Sequence, residues 1–307
     1  MAATLPAVQV AIGPSLGRER GLWSDAWRRL LRNKLAVAGL IVLIALLAAA
    51  YIGAYVGPTA RFEPNDFSTA KQEGPSPEHW LGTDQLGRDQ FARILEGLRV
   101  STQIGFGTAA IVLVVGMLAG SFAAIGGKLS DNAVMRFTDV MFSFPDILLI
   151  LLIRAILIER DIPVITDNKT LIIFAISMTA WTTIARLVRG QMLSLAERDF
   201  VLAARSMGAS SGRVVFQHML PNTLGPVIVA VTFTIPAAIF AEAALSFIGL
   251  GVPPPAVSLG GLVASGYNYV QRNVWGVVFP AGSIALLMLC FTFLGDGLRD
   301  ALDPRSR

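Results

Sequence analysis

With 54% hydrophobic residues, 15% charged residues and a mean hydropathy of +0.62 over 307 residues, the chain lacks the polar surface of a soluble domain. Water-facing domains carry about 25% charged residues, and here the charges are bunched between long apolar runs, which excludes one large soluble core and points to helices in lipid. The pI of about 9.6 does not indicate nucleic acid, because basic residues flank apolar runs rather than forming one stripe.

Residues 1–34 read as a polar N-terminal tail. Its Gly13-Pro-Ser15-Leu-Gly17 has the G-x-S-x-G pattern but not the preceding strand and following helix of a nucleophile elbow. The apolar run from Leu35 is too long for a signal-peptide core and lacks a clear cleavage site. A span needs about 20 mainly apolar residues, and six stretches qualify: 35–56, 104–125, 134–158, 171–188, 224–250 and 274–294. Residues 35–57 are thus a first transmembrane helix, 58–100 a connection, 101–295 a core of five more helices and 296–307 a C-terminal tail.

The 58–100 connection holds Pro58, Pro64, Pro75 and Pro77, and its 85–99 stretch reads as an amphipathic helix. In the second span Gly116-x3-Gly120 predicts two helices packed closely within the chain. Gly126-Gly-Lys128 is no P-loop, because Leu129 replaces the Ser/Thr and the upstream glycine is absent. Thr179, Thr182 and Thr183 dilute the fourth span. Pro253-Pro254-Pro255 must end the fifth, since consecutive prolines remove helical donors. His79 and His218 are the only histidines and Cys290 the only cysteine, which leaves neither a zinc cluster nor an intrachain disulfide.

Orientation follows from Lys and Arg near the span ends. If both termini are cytoplasmic, Arg28, Arg29, Arg32 and Lys34, then Lys128 and Arg136, then Arg186, Arg189, Arg198, Arg205 and Arg213 all fall inside. The outer segments are poorer in basic residues, so the 191–221 loop is expected in the cytoplasm.

That loop carries the strongest local signal. In Asp199-Phe-Val-Leu-Ala-Ala-Arg-Ser-Met-Gly208, Asp199 is placed to cap a helix and Gly208 to end it in a left-handed conformation. Phe200, Ala203, Ala204 and Met207 share one face by spacing. Two turns are too short to be stable alone, so the helix needs a docking partner. A second short helix is expected over 213–220, stopped by Pro221.

Ala203-Ala204-x3-Gly208 followed by Leu220-Pro221 resembles the "EAA" loop of ATP-binding-cassette (ABC) importer permeases, with Leu202 where that family has its glutamate. Further blocks resemble the dipeptide/oligopeptide branch and its C-type subunit. They are Asn33-Lys-Leu-Ala36, Leu81-Gly-Thr-Asp-Gln-Leu-Gly-Arg-Asp89, Gly97-Leu-Arg-Val-Ser101, Glu242-Ala-Ala-Leu-Ser-Phe-Ile-Gly-Leu-Gly251 and Leu294-Gly-Asp-Gly-Leu-Arg-Asp-Ala-Leu-Asp-Pro304. The resemblance implies an all-α integral membrane protein of six transmembrane helices with the MetI-like ABC-importer permease fold. It implies a multi-pass subunit of a prokaryotic inner membrane, surrounded by lipid and paired with a second homologous permease. Two ATPase subunits would bind ATP and Mg, leaving no cofactor or metal in this chain. An extracytoplasmic substrate-binding protein would deliver di- or oligopeptides, with nickel and oligosaccharide importers sharing the architecture. Asp199, Phe200, Ala203, Ala204, Arg205, Met207, Gly208, Leu220 and Pro221 would form the ATPase-coupling loop.

Ionisable groups inside spans are costly and mark partners or watery paths. Asp139, Asp146, Arg154 and Glu242 are the candidates here. Asp139 is expected to pair with the neighbouring Arg136. Glu242 follows Pro236, whose missing donor should bend the fifth span. The two either line the translocation path or make a structural contact. An intramembrane enzyme would need paired catalytic groups, which the spans lack. A stand-alone channel would leave the 199–208 helix without its partner.

Overall fold

The computed structural model describes residues 22–53, 56, 61–159 and 167–303. The Gly13–Gly17 motif, Pro58 and both chain ends lie outside these residues. Among them the chain is helical, with one isolated bridge between Thr83 and Asp89. Helix α1 (Leu22–Arg32) leads into α2 (Lys34–Ala48), which ends in a π turn, Ala49–Gly53. There follow α3 (Gln90–Ile125), α4 (Gly127–Phe142), α5 (Asp146–Glu159), α6 (Asn168–Ala196) and α7 (Asp199–Ser206). A short turn α8 (Ser211–Arg213) and a π turn (Val214–Met219) enter α9 (Leu220–Phe247). Helices α10 (Leu259–Tyr267) and α11 (Trp275–Leu302) complete the chain.

Short polar side chains start these helices by accepting otherwise orphaned amides. Asn33 Oδ1 accepts from Leu35 and Ala36, Asp89 from Ala92, Asp167 from Thr170 and Ser258 from Gly261. Among the described residues, five segments are long and apolar enough to cross a membrane: Lys34–Gly53, Gln90–Ile125, Asn168–Ala196, Ser211–Phe247 and Trp275–Leu302.

The expected span at 134–158 is a broken one. Helices α4 and α5 meet at 97°, and only together do they make a sixth crossing. Pro145 cannot donate to the Met141 carbonyl, and the Ser143 hydroxyl donates to the Asp139 carbonyl at 2.9 Å, which closes α4. The α4 half carries Lys128, Asp131, Arg136 and Asp139, and α6 pins it there. Arg189 forms a two-pronged pair with Asp131, whose second contact is 2.6 Å. Asp139 pairs with Arg186 at 2.7 Å and not with its sequence neighbour Arg136, because the helix turns Asp139 toward α6. The Arg186 guanidinium also lies over the Phe142 ring, 4.2 Å from its centre.

Helix α3 packs most extensively on α6. A Cβ on Gly116 would come within 2.7 Å of Ile184, and one on Gly120 would overlap the Ala185 carbonyl. The glycine pair therefore packs helices inside the chain, as its spacing implied. The 85–99 stretch differs from expectation. From Gln90 it is the first turns of the same 36-residue α3, and most of it is buried.

The two ends of the bundle follow from this connectivity. One end gathers α1, α4, α7 and the end of α11. The other gathers residues 61–89 and 248–274, tied together by Asn273, whose Nδ2 donates to the Glu73 and Thr83 carbonyls. There Asp84 accepts from the Leu86 and Arg88 amides and from Arg88 Nε. His79 Nδ1 meets Asp89 Oδ2 at 2.9 Å. Gly82 and Gly87 take φ near +79° and +80° where any side chain would strike the Glu73 and Ser68 carbonyls. Gln90 donates to the Tyr269 hydroxyl at 3.0 Å; burial holds that phenol above its usual range, with nearby Asp84 adding to the shift. The Leu81–Asp89 block thus builds a folded cap over the helix ends.

Candidate functional site: the 199–221 loop and the Glu242 junction

Helix α7 sits between α6 and α9 at the end that holds α4. Its N-cap is Arg198, in extended conformation and with no side-chain capping bond. Asp199 is therefore not the cap: it lies one residue inside, where its charge favours the helix N-terminus. The C-terminus is a Schellman turn. Gly208 has φ +83°, its amide donates to Arg205 at 3.0 Å, and the Ala209 amide donates to Ala204 at 3.0 Å.

The structure divides the four anchors. Ala204 is buried with Val201 in the chain's own core, against Val214, Val215 and Met219 below α9 and Val188 and Met192 of α6. Phe200 (44% exposed), Ala203 and Met207 (83% exposed) form the free face, with Arg205 exposed beside them. Spacing put Ala204 on that face, but it sits at its inner edge, where the smallest side chain lets α7 approach the core. Leu202, at the family's glutamate position, is exposed. So is Phe216 in the following π turn, which extends the apolar surface; spacing along α7 alone did not reveal it.

Pro221 does not stop a helix. Residues Ser211–Phe247 run as one candidate span, with Leu220 and Pro221 in its first α-helical turn. The widened π turn lies immediately before Pro221, and there the Leu220 amide donates back to Val215. A helical interior would otherwise suffer proline's missing donor and ring clash. The loop is thereby rigid on both sides: α7 is locked by its Schellman turn, and the return path is already α9.

At the far end of α9 lies Glu242, 0% exposed. Ser246 donates to its Oε1 at 2.6 Å and Ser101 of α3 to its Oε2 at 3.2 Å. The Ser101 oxygen in turn accepts the Leu259 amide at 3.1 Å, which ties in α10. Arg154 of α5, also buried, donates to the Gly251 carbonyl at 2.7 Å. Glu242 therefore joins α3, α9 and α10 from a closed interior. Pro236, six residues before it, is buried as well. Ser101 and Ser246 both lie in blocks that the sequence singles out, but spacing does not reveal them as donors to Glu242.

Residues 92–307 match the family described as the inner membrane component of binding-protein-dependent transport systems, and residues 21–75 match the N-terminal transmembrane domain of oligopeptide transport permease C. The chain belongs to this permease family. It is 39% identical over 290 residues to the oligopeptide transport system permease protein OppC of Bacillus subtilis, covering 93% of this chain and 90% of that one. It is 40% identical over 284 residues to the dipeptide transport system permease protein DppC of the same organism, covering 92% and 86%. Among solved structures, a chain of the MetNI methionine ABC transporter in an inward-facing conformation superposes with a TM-score of 0.57 at 21% identity. It covers 69% of this permease and 96% of that chain, and it supports the fold. An amino acid ABC transporter gives a TM-score of 0.55 at 16% identity, over 67% and 92% of the two chains. The protein is thus the transport subunit of an ABC importer, an integral membrane permease and not an enzyme. Importers of this family work with ATPase and substrate-binding partners.

Proposed function

We propose that this permease forms half of a translocation path for di- or oligopeptides and couples it to ATP hydrolysis in two partner subunits through α7. The second half is a homologous permease. ATP and Mg reside in the ATPases, and both termini and the 199–221 loop face the cytoplasm, in keeping with the basic residues near those span ends. A substrate-binding protein meets the opposite end, where residues 61–89 and 248–274 form the cap. The peptide reading rests on the identity to oligopeptide and dipeptide permeases over nine tenths of the chain.

The coupling reading rests on one observation, the two-sided α7. Val201 and Ala204 weld it to α6 and α9, while Phe200, Ala203 and Met207 remain for a partner. A push on the free face then moves two spans together, and such rigid-body motion rocks a path between inward and outward access.

The test is uptake by the reconstituted importer of a labelled dipeptide, a labelled pentapeptide, nickel and an oligosaccharide, each with ATP. Peptide uptake that disappears in Ala203→Asp, while the variant still inserts and pairs with the second permease, is the expected result. Uptake of nickel or sugar alone would overturn the substrate reading. Undiminished uptake in Ala203→Asp would overturn the coupling reading.

A further inference from the structure

Helix α1 precedes the first span and carries three stripes one hundred degrees apart. Ala26 and Leu30 are buried against Leu294, Leu298 and Leu302 of α11, close to Gly297, where a side chain would strike Ala36 and crowd Leu30. Trp27 and Leu31, one turn apart, are 56% and 51% exposed. Arg28 and Arg32, also one turn apart, are exposed on the next stripe, and Lys34 is exposed just beyond. Asn33 leaves the helical conformation and caps α2, so the two helices are separate rods joined at one residue.

Exposed apolar side chains also follow on the other side of this joint. Leu35, Ile41 and Ile44 are exposed on α2, part of a candidate membrane span whose apolar surface only lipid or an apolar partner covers. Exposed Trp27 and Leu31 lie just before the start of that span at Lys34, where indole rings settle at headgroup depth. The guanidiniums beside them then lie among the phosphates.

We propose that α1 is an interfacial anchor whose Arg28 and Arg32 bind the headgroups of anionic phospholipids. The packing of Ala26 and Leu30 fixes the roll of the helix, so that indole and guanidiniums point to one layer of the bilayer. Arginine suits this role because its planar donors match phosphate oxygens in pairs. Lipid occupancy would hold α1, and through it the end of α11, in one position.

The test uses the complete importer in phosphatidylcholine vesicles containing phosphatidylglycerol, with bromine placed on one lipid or the other. Trp27 fluorescence is isolated as the difference between wild type and Trp27→Phe. Quenching per bromolipid is expected to be about fivefold stronger from phosphatidylglycerol, the preference a basic group gains near an anionic surface. The excess should shrink with added salt and vanish in Arg28→Gln/Arg32→Gln. Should that variant fail to assemble, the salt titration of the wild type decides alone. Equal quenching by both lipids would overturn headgroup selectivity. Absence of Trp27 quenching by either would put α1 against a protein partner and overturn the proposal.

Discussion

Replacing Met207 by alanine separates the two faces of α7. The side chain is 83% exposed in the free permease, so its truncation removes almost no packing. Exposed substitutions of this kind shift stability by about 0.5 kcal/mol or less. A methionine fully buried at an interface contributes about 1.5–3 kcal/mol, and some four fifths of that burial remains available here. A loss near 2 kcal/mol corresponds to about 30-fold weaker ATPase binding. The assay is titration of the detergent-solubilised permease pair with the purified ATPases, read by interferometry, alongside thermal inactivation of the pair. Wild-type affinity in Met207→Ala would refute the docking face. Ala204→Asp is the opposite case: its carboxylate enters the core beside Val201 and Val214, costing several kcal/mol of stability before any partner is met. If Ala204→Asp proved as stable as wild type while losing the ATPases, the assignment of inner and outer faces would be reversed.

Other variants probe the packing and the junction. Gly120→Leu should destabilise the permease by about 1–3 kcal/mol or more through collision with Ala185 and Val188 of α6, seen as a lowered inactivation temperature. A seam between two permeases would instead predict dissociation of the pair at unchanged stability. Glu242→Leu should destabilise strongly, since each serine hydroxyl left without its acceptor costs about 1–3 kcal/mol, whereas Glu242→Gln retains an acceptor oxygen and should lose less. Equal stability of both variants and wild type would remove the junction's structural role. Asp131→Asn should cost about 1 kcal/mol or less, because the pair with Arg189 is part-exposed and solvent screens it.

Spans with a continuous apolar run were legible in sequence, because a long apolar run has few alternatives in lipid. The break at Pro145 within the expected span is invisible to hydropathy, which sums over a window and ignores direction. The charged α4 half and the apolar α5 half averaged to an acceptable crossing. Arg136 was chosen for Asp139 because it is near in sequence, yet the partner comes from α6, a separation of 47 residues. Proline 221 was read as a stop because its cost was taken alone. A π turn just before it absorbs that cost, and no residue pattern announced the turn. The cap at 61–89 illustrates the converse. Gly82, Asp84 and Gly87 stood out as a motif, but their purpose is visible only once Glu73, Ser68 and Asn273 are beside them.

These corrections change the role of α9. With Pro221 inside it, α9 and its lead-in form one candidate span, Ser211–Phe247, from the α7 core to beyond Glu242. Pro226 and Pro236 lie within α9, so any flexing occurs along it. At the far end Glu242 fastens α9 to Ser101 of α3 and, through Ser101, to the first amide of α10. Under the proposed coupling, a displacement of α7 would reach α3 and α10 through these bonds. A carboxylate lining the path would need exposure to the substrate; one that ties α9 to its neighbours needs burial and donors, and Glu242 has both. If α7 carries the partner's motion as proposed, Glu242 is the buried tie that fastens the opposite end of α9 to α3.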